Sequence, residues 1–197
     1  MKEIPVIISI GSTRLELISQ TLQTLFNTKY PHKLYIFGSN RNPVDHVVIK
    51  NQIIKTLRNY EFVVLVDDDV CLNKGWLEYL ITTHQKYPDV DILEATANMN
   101  EKIIEDRGDV VIADKIAGPC CSIRKRVFDV IGKLPERRIW TKGIEDYIAK
   151  KNGKMARLKD QTKVVHCGVI RSDGYRYADN IRDYFRNKAE KVGAIIG

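Results

Sequence analysis

The sequence predicts an α/β fold, a mostly parallel central sheet flanked by helices in a single compact domain. Strand-like and helix-like segments alternate along the chain, the pattern of a sheet covered by helices. The 197 residues suffice for one well-filled core and not for two, and they contain no internal repeat, low-complexity tract or linker. Hydrophobic content of 44% and charged content of 29% belong to a globular chain rather than a disordered one.

The elements run in order. "IPVIISI" (4–10) is an apolar run that reads as a first strand. From Thr13, Leu15, Ile18, Leu22 and Leu25 fall at helical spacing. "KLYIFG" (33–38) is a second strand ending in the turn-forming "GSNRNP", "VIKNQIIKTLRNY" has helical character, and "EFVVLV" (61–66) is a third strand. "KGWLEYLITTHQKY" predicts a helix with Trp76, Leu80 and Ile81 on one face and Pro88 just past its end. "DILEATA" (91–97) and "DVVIADKI" (109–116) are strand-like. "SIRKRVFDVIG" (122–132) predicts a short helix closed by Gly132, and "GIEDYIAKKNGK" a second with Gly153 at its C-cap. "TKVVHCG" (162–168) resembles a last strand, and the tail from Tyr175 reads as a basic helix carrying Tyr177, Ile181, Tyr184 and Phe185.

No run approaches about 18 apolar residues, so no membrane span is expected. The N-terminal apolar stretch is too short for a span, and a polar, helix-compatible segment comes next, where a signal-cleavage site would lie. The expected compartment is the cytoplasm. Cys71, Cys120, Cys121 and Cys167 show neither C-x-x-C pairing nor zinc-finger spacing, so reduced, partly buried thiols are expected.

The net charge of +7 is unevenly spread. Residues 1–119 hold 13 Lys and Arg against 16 Asp and Glu, and residues 120–197 hold 19 against 9, nets of −3 and +10. Two readings stand side by side: one half faces an anionic partner, or the charges simply solvate helices.

The most informative stretch is "FVVLVDDDVCL" (62–72), with three carboxylates in a row after a buried strand. A strand of a parallel sheet delivers the residues after it to the carboxyl edge, where such folds bind ligands. Asp67 and Asp69 can converge on a hard divalent cation, which prefers carboxylate oxygens and often arrives with a nucleotide diphosphate. An acidic turn capping a helix is the ordinary alternative. The haloacid dehalogenase pattern fits poorly, because the cluster lies mid-chain and Cys71 occupies the place of its Thr or Val.

Five segments in order, over about residues 4–168, make the chain resemble the family 2 glycosyltransferases of GT-A fold. "VIISIGSTRLELISQTLQTL" resembles their opening strand and helix. "NQIIKTL" is similar to their N-x-G-I helix, with Gln52 and Ile53 in place of the usual glycine. "FVVLVDDDV" and then "KGWLEYL" resemble the D-x-D strand and next helix. "AGPCCSIRKRVFDVIG" resembles the small-residue strand and R-x-x-F-x-x-x-G helix that line the sugar. "WTKGIEDYIAKKNGK" resembles the G-x-E-D helix, and "VVHCG" the late histidine.

The resemblance implies a GT-A domain over residues 1–197, with a nucleotide-binding half at 1–119 and an acceptor-side half at 120–197. It implies transfer of a sugar from a nucleotide-diphosphate donor, commonly UDP-linked, with Mn2+ or Mg2+ and inversion of the anomeric centre. Ile8, Ser9, Ile10, Thr13 and Arg14 then surround the nucleoside. Ser39 and Asn40 lie at the second strand's end, where family members often carry an Asp. Asp67 contacts the ribose or base, Asp68 supports its neighbours on the nucleotide side, and Gly118 and Pro119 line the sugar. Asp69 and His166 hold the metal. Asp146 is the general base that deprotonates the acceptor hydroxyl, and Glu145 orients it or binds acceptor hydroxyls. Taken alone, Glu145 and Asp146 at a helix start, His166 in a strand and Trp140 before the helix also fit purely structural places.

The acceptor is a hydroxyl on a partner that the basic half can face. "RKR" (124–126), Arg137, Arg138, "KK" (150–151) and the "RSDGYRY" segment with Arg171 and Tyr175 mix cations with aromatics, as does Trp140. That combination suits a phosphate backbone or a flipped base. DNA carrying hydroxymethylated bases, as in phage-type DNA modification, is therefore one acceptor reading, and a cell-surface or lipid-linked glycan, or another anionic glycan, is the other. A DNA- or glycan-binding module without catalysis is the non-enzymatic alternative, against which the joint presence of Asp67, Asp69, Asp146 and His166 argues.

Overall fold

The computed structural model describes residues 3–10, 15–38, 43–96, 101–136, 140–166, 170–171 and 174–175. Its centre is set by two strands, Ile4–Ile10 (β1) and Phe62–Asp67 (β3), whose apolar runs are buried on both faces. Val6 and Ile8 of β1 and Val64 and Val66 of β3 enter one core, while Ile7, Val63 and Leu65 enter the other. A strand with both faces buried needs a layer of helices on each side. Leu15–Leu25 (α1) and Trp76–Lys86 (α3) cover the first face, with Leu25, Trp76, Leu77, Leu80 and Ile81 in its core. Pro43–Thr56 (α2), Lys125–Ile131 (α4) and Trp140–Lys150 (α5) cover the second, through Val47, Ile54, Val127, Phe128, Ile144 and Ile148.

The central sheet also contains His32–Gly38 (β2), Val90–Glu94 (β5), Ile103–Asp106 (β6), Val110–Ala113 (β7), Cys120–Arg124 (β8) and Lys154–Leu158 (β9). Their order is β2-β1-β3-β8-β5-β9-β7-β6. β2, β1 and β3 are parallel neighbours, and β5 and β9 are parallel, whereas β8 runs against β3 and β5, and β7 against β9 and β6. Six of the eight strands therefore share one direction, as expected of a mostly parallel sheet, and β8 and β7 are reversed. The carboxyl ends of β1, β3 and β5 and the start of β8 meet at one edge. Val70–Leu72 (β4) and Val164–His166 (β10) form a separate antiparallel pair, with His166 opposite Val70. Ile170–Arg171 (β11) and Gly174–Tyr175 (β12) form a short hairpin.

Several boundaries differ from the sequence expectation. Residues 120–124 form β8, so the helix expected from Ser122 starts at Lys125; Gly132 closes it as expected, at φ 73° with its N–H on Phe128 O. α2 starts at Pro43, where a missing N–H costs nothing in a first turn. Asn152, not Gly153, takes the left-handed conformation after α5, with φ 52°, and Gly153 N reaches back to Ile148 O. Gly153 is needed for space instead, because a Cβ there would collide with Asp91 Oδ2. β4, β6 and β9 have no counterpart in the sequence reading, and the expected C-terminal helix lies outside the described residues.

"RKR" is largely spent on this scaffold. The Arg124 guanidinium lies over the Phe62 ring and bonds Val90 O at 2.8 Å, His84 O at 2.7 Å and Glu61 Oε1 at 3.1 Å. Arg126 Nε bonds Asp91 Oδ1 at 2.6 Å. Lys125 and Arg126 both reach the surface, Lys125 pairing with Asp129 and Arg126 half-exposed in its pair with Asp91. Cys71, Cys120 and Cys121 are buried thiols outside any disulfide, and burial pushes the Cys120 and Cys121 thiols up. Among the described residues no helix is long and apolar enough to cross a membrane.

His84 is fully buried beneath Arg124. Its partners assign the proton to Nε2, which donates to Val90 O at 3.1 Å, leaving Nδ1 to accept from the Ser122 hydroxyl. Burial, and then Arg124, push its pKa down to about 3. Between that value and the ordinary histidine range the unfolded chain binds a proton that the folded chain refuses, so stability falls as pH drops. The stability advantage of wild type over His84→Gln, from urea unfolding, is expected to narrow by about 1.4 kcal/mol per pH unit below about pH 6.5. A difference independent of pH would show that His84 ionises in the folded protein.

Candidate active site

The three aspartates occupy the junction between β3 and β4. Asp67 is the last residue of β3, and Asp68 and Asp69 make a tight turn into β4. A backbone that leaves a sheet this abruptly needs new hydrogen-bond partners, and α1 supplies them. The buried Thr21 hydroxyl donates to Asp68 O at 2.9 Å and accepts from Val70 N at 3.2 Å. Thr24 Oγ1 accepts from Leu72 N at 3.1 Å, and Asn27 Nδ2 donates to Leu72 O at 3.0 Å. Thr21 and Thr24, three residues apart, share one face of α1, and Asn27 follows just past the helix's end. β10 pairs the other side of β4 and delivers His166.

The result is a pair and a triplet of polar groups. His166 Nε2 lies 3.4 Å from Asp69 Oδ1, with both side chains largely buried. Asp67 Oδ1 faces Lys50 Nζ of α2 at 3.6 Å and the Ser9 hydroxyl of β1 at 3.5 Å. Lys50 is only 2% exposed. Enclosure raises the Asp67 pKa; Lys50 opposes this most strongly, and lesser influences come from Asp69 acting upward, His166 downward and Asp68 upward. One carboxylate and one imidazole suit Mn2+ or Mg2+, with the remaining positions open to phosphate and water oxygens. Among the described residues no three His, Cys, Asp or Glu side chains gather closely enough to hold a metal by themselves.

A second strip of backbone borders the cluster. Asp67 N donates to Pro119 O at 2.7 Å, and Gly118, at φ 95°, lets the chain turn into β8 in a conformation that suits glycine. Two residues earlier, Ile116 N donates to Glu145 Oε1 of α5 at 3.1 Å. Burial raises the Glu145 pKa, with the Ile116 N–H and then Lys115 acting against it. Asp146, next on α5, is exposed.

Of the residues singled out by sequence, Ser9, Asp67, Asp69, His166, Gly118 and Pro119 thus come together. Ile8 is wholly within the core, so only its backbone is left to face a nucleoside, and Ile10 is half-buried at the strand end. Asp68 is buried in the turn, in keeping with a supporting place. Glu145 is engaged with the loop backbone rather than with Asp146. Thr13, Arg14, Ser39, Asn40, Arg137 and Arg138 lie outside the described residues, as do the side chains of Trp140, Arg171 and Tyr175. Lys50 and Thr21 were not singled out. A lysine within an otherwise apolar helix face, "VVIKNQII", was the available signal for Lys50; Thr21 had none.

No family model and no curated protein matches the sequence. Solved structures do. The mannosyltransferase PcManGT from Pyrobaculum calidifontis, in complex with GDP-Man and Mn2+, superposes with a TM-score of 0.60 at 11% identity, over 81% of this chain and 55% of that one. A197 from STIV gives 0.55 at 11% identity, over 80% and 82%. Residues 1–349 of TarS from S. aureus give 0.53 at 14% identity, over 97% and 64%. The chain thus spans about half the length of the mannosyltransferase and just under two thirds of the TarS fragment. The shared feature is the fold, a GT-A glycosyltransferase-like fold.

Replacing Thr21 by the near-isosteric Val leaves Asp68 O and Val70 N–H without their bridge. Thr21→Val is expected to lower stability by about 1–3 kcal/mol in urea unfolding. A loss below a few tenths would show that water or a neighbour replaces the hydroxyl.

Proposed function

We propose that the protein is a metal-dependent, inverting glycosyltransferase that moves a sugar from a nucleotide-diphosphate donor to a hydroxyl acceptor. The observation that carries this reading is the Asp69–His166 pair beside Asp67 at the carboxyl edge of a GT-A-like sheet. In this reading Ser9, Lys50 and Asp67 hold the nucleoside, with Thr13, Arg14 and Asn40 completing its pocket. Asp69 and His166 hold Mn2+ or Mg2+, which when bound offsets negative charge on the departing diphosphate. Gly118 and Pro119 border the sugar. Asp146, exposed in the middle of α5 rather than at the helix start expected from sequence, accepts the acceptor hydroxyl's proton as its oxygen bonds the anomeric carbon. The bond from that carbon to the diphosphate breaks on the opposite face, which inverts the centre.

The donor reading is UDP-sugar, although the mannosyltransferase neighbour was captured with GDP-Man and Mn2+. For the acceptor, the +10 of residues 120–197 supports an anionic polymer, DNA with hydroxymethylated bases being the version proposed. Arg124 is not available to such a polymer, since the scaffold buries it, whereas Arg126 keeps half of its side chain exposed beside Asp91. Arg137, Arg138, Trp140, Arg171 and Tyr175, with the exposed Lys150 and Lys151, remain the candidates. A glycan acceptor, cell-surface or lipid-linked, is the outcome if DNA fails.

Hydrolysis of UDP- and GDP-sugars should require Mn2+ or Mg2+ and fall at least about a hundredfold in Asp69→Ala. Absence of turnover together with tight DNA binding would sink the enzyme in favour of a binding module. Asp146→Asn is expected to lower transfer by about 10²–10⁴-fold with the donor KM little changed. A native rate in that variant would remove Asp146 from the chemistry. Transfer to hydroxymethylated DNA, weakening as salt rises, checks the acceptor, and transfer to a glycan panel alone would replace it.

A further inference from the structure

Glu94 ends β5 at the same sheet edge as Asp67, yet it faces no solvent at all, with 0% of its surface exposed. Its carboxylate is held by the loop that joins β7 to β8. Ala117 N donates to Oε1 and Oε2 at 3.1 and 3.0 Å, Gly118 N to Oε1 at 2.9 Å, and the Thr96 hydroxyl to Oε1 at 3.0 Å. Four consecutive residues are therefore anchored to three elements. Ile116 is tied to Glu145 on the helix that carries Asp146, Ala117 and Gly118 to Glu94, and Pro119 to the Asp67 backbone.

We propose that Glu94 is a positioning residue for the transfer reaction: its buried carboxylate fixes the 116–119 loop and thereby the placement of the α5 carboxylates relative to the donor aspartates. The inference rests on the glycosyltransferase reading above. Glutamate is the side chain this place requires. Glutamine offers a single acceptor oxygen and turns an NH2 toward the Ala117 N–H, and aspartate is one methylene short.

Burial raises the Glu94 pKa to about 7, opposed by the Ala117 and Gly118 N–H groups and the Thr96 hydroxyl. The charged and titratable groups around it are Glu101, which pushes it higher, Arg157, its register partner on β9 and the ion-pair partner of Glu101, and the Cys120 and Cys121 thiols of β8. Protonation replaces an acceptor by a hydroxyl, so the clamp belongs to the ionised form and weakens as pH falls through neutrality. Stability runs the other way. A carboxyl whose folded pKa lies above its unfolded value stabilises the fold below the unfolded value and loses that contribution as pH rises through the folded one. A side chain with only a scaffold role would move activity and stability together.

The test measures donor hydrolysis by the full chain with Mn2+ and UDP-glucose or GDP-mannose, from about pH 5.5 to about pH 8.5, beside thermal unfolding and amide exchange. Wild type is expected to lose kcat on the acid side with a midpoint near neutrality while its melting temperature holds or rises. At the alkaline end Glu94→Gln is expected to show kcat reduced at least about tenfold, donor KM within about threefold, no acid limb near neutrality, and Ala117 and Gly118 amides exchanging at least about tenfold faster. Glu94→Asp should not restore kcat. Native kcat with the native pH profile in Glu94→Gln, or unchanged exchange at Ala117 and Gly118, overturns the positioning role alone. No turnover of either nucleotide sugar by wild type overturns the transferase reading and this role with it. Should Glu94→Gln not fold, wild type decides: activity and melting temperature falling together toward acid overturn the proposal.

Discussion

The site depends on a backbone that leaves the central sheet and finds its hydrogen bonds elsewhere. Between Asp67 and Leu72 the chain parts from β1 and β8, turns through two further aspartates, and starts a new strand pair with β10. Thr21 and Thr24 of α1 and Asn27 just beyond it serve that backbone where no strand can. Without them the turn would bury unpaired N–H and C=O groups, a cost comparable to the whole margin by which a domain is stable. With them, three adjacent carboxylates are held at a fixed place despite mutual repulsion, and β10 brings an imidazole to the last of them. The Asp69–His166 pair is thus a consequence of how a turn is satisfied.

The same economy governs the polar groups deeper in the sheet. Arg124, His84 and Ser122 form one buried chain that closes the amino-terminal end of β5, where the antiparallel β8 finishes, and Glu94 closes the carboxyl end of β5 through the 116–119 loop. Their titrations oppose each other. His84 is held neutral and loses stability for the fold in mild acid, whereas Glu94 is driven toward its protonated form and gains it there. The two effects offset each other over the range between the ordinary carboxylate and histidine values.

Legibility tracked the residue types. β1, β3 and α3 were plain because β-branched runs and a 3.6-residue apolar period leave little choice. β9 was invisible: "KMARL" contains no β-branched or aromatic residue, and it becomes a strand only because β5 and β7 pair with it on both sides. β8 stood out only through the small-residue strand of the family resemblance, and the residue pattern ran it into the helix after it, since "CCSIRKRVF" carries no breaker between strand and helix. β6 is an exposed edge with no apolar alternation to announce it. For the site, Asp67, Asp69, His166, Gly118 and Asp146 stood out through motif order. Lys50, Thr21 and Glu94 did not, because each acquires meaning only from a partner at least 17 residues away in sequence, as the Asp67, Asp68 and Gly118 contacts show.

By itself the sequence determined that this is a one-core α/β chain whose third strand ends in acid, because burial periodicity and local composition are properties of neighbouring residues. Tertiary structure decided what those acids are joined to, Asp69 to His166 and Asp67 to Lys50, and it joined the 116–119 loop to Glu94 and Glu145. It also removed Arg124 from the basic surface by giving it partners in the scaffold. The reason is the same in each case. A charge or a polar group is defined by what lies within a few ångströms of it, and only the folded chain brings those groups together.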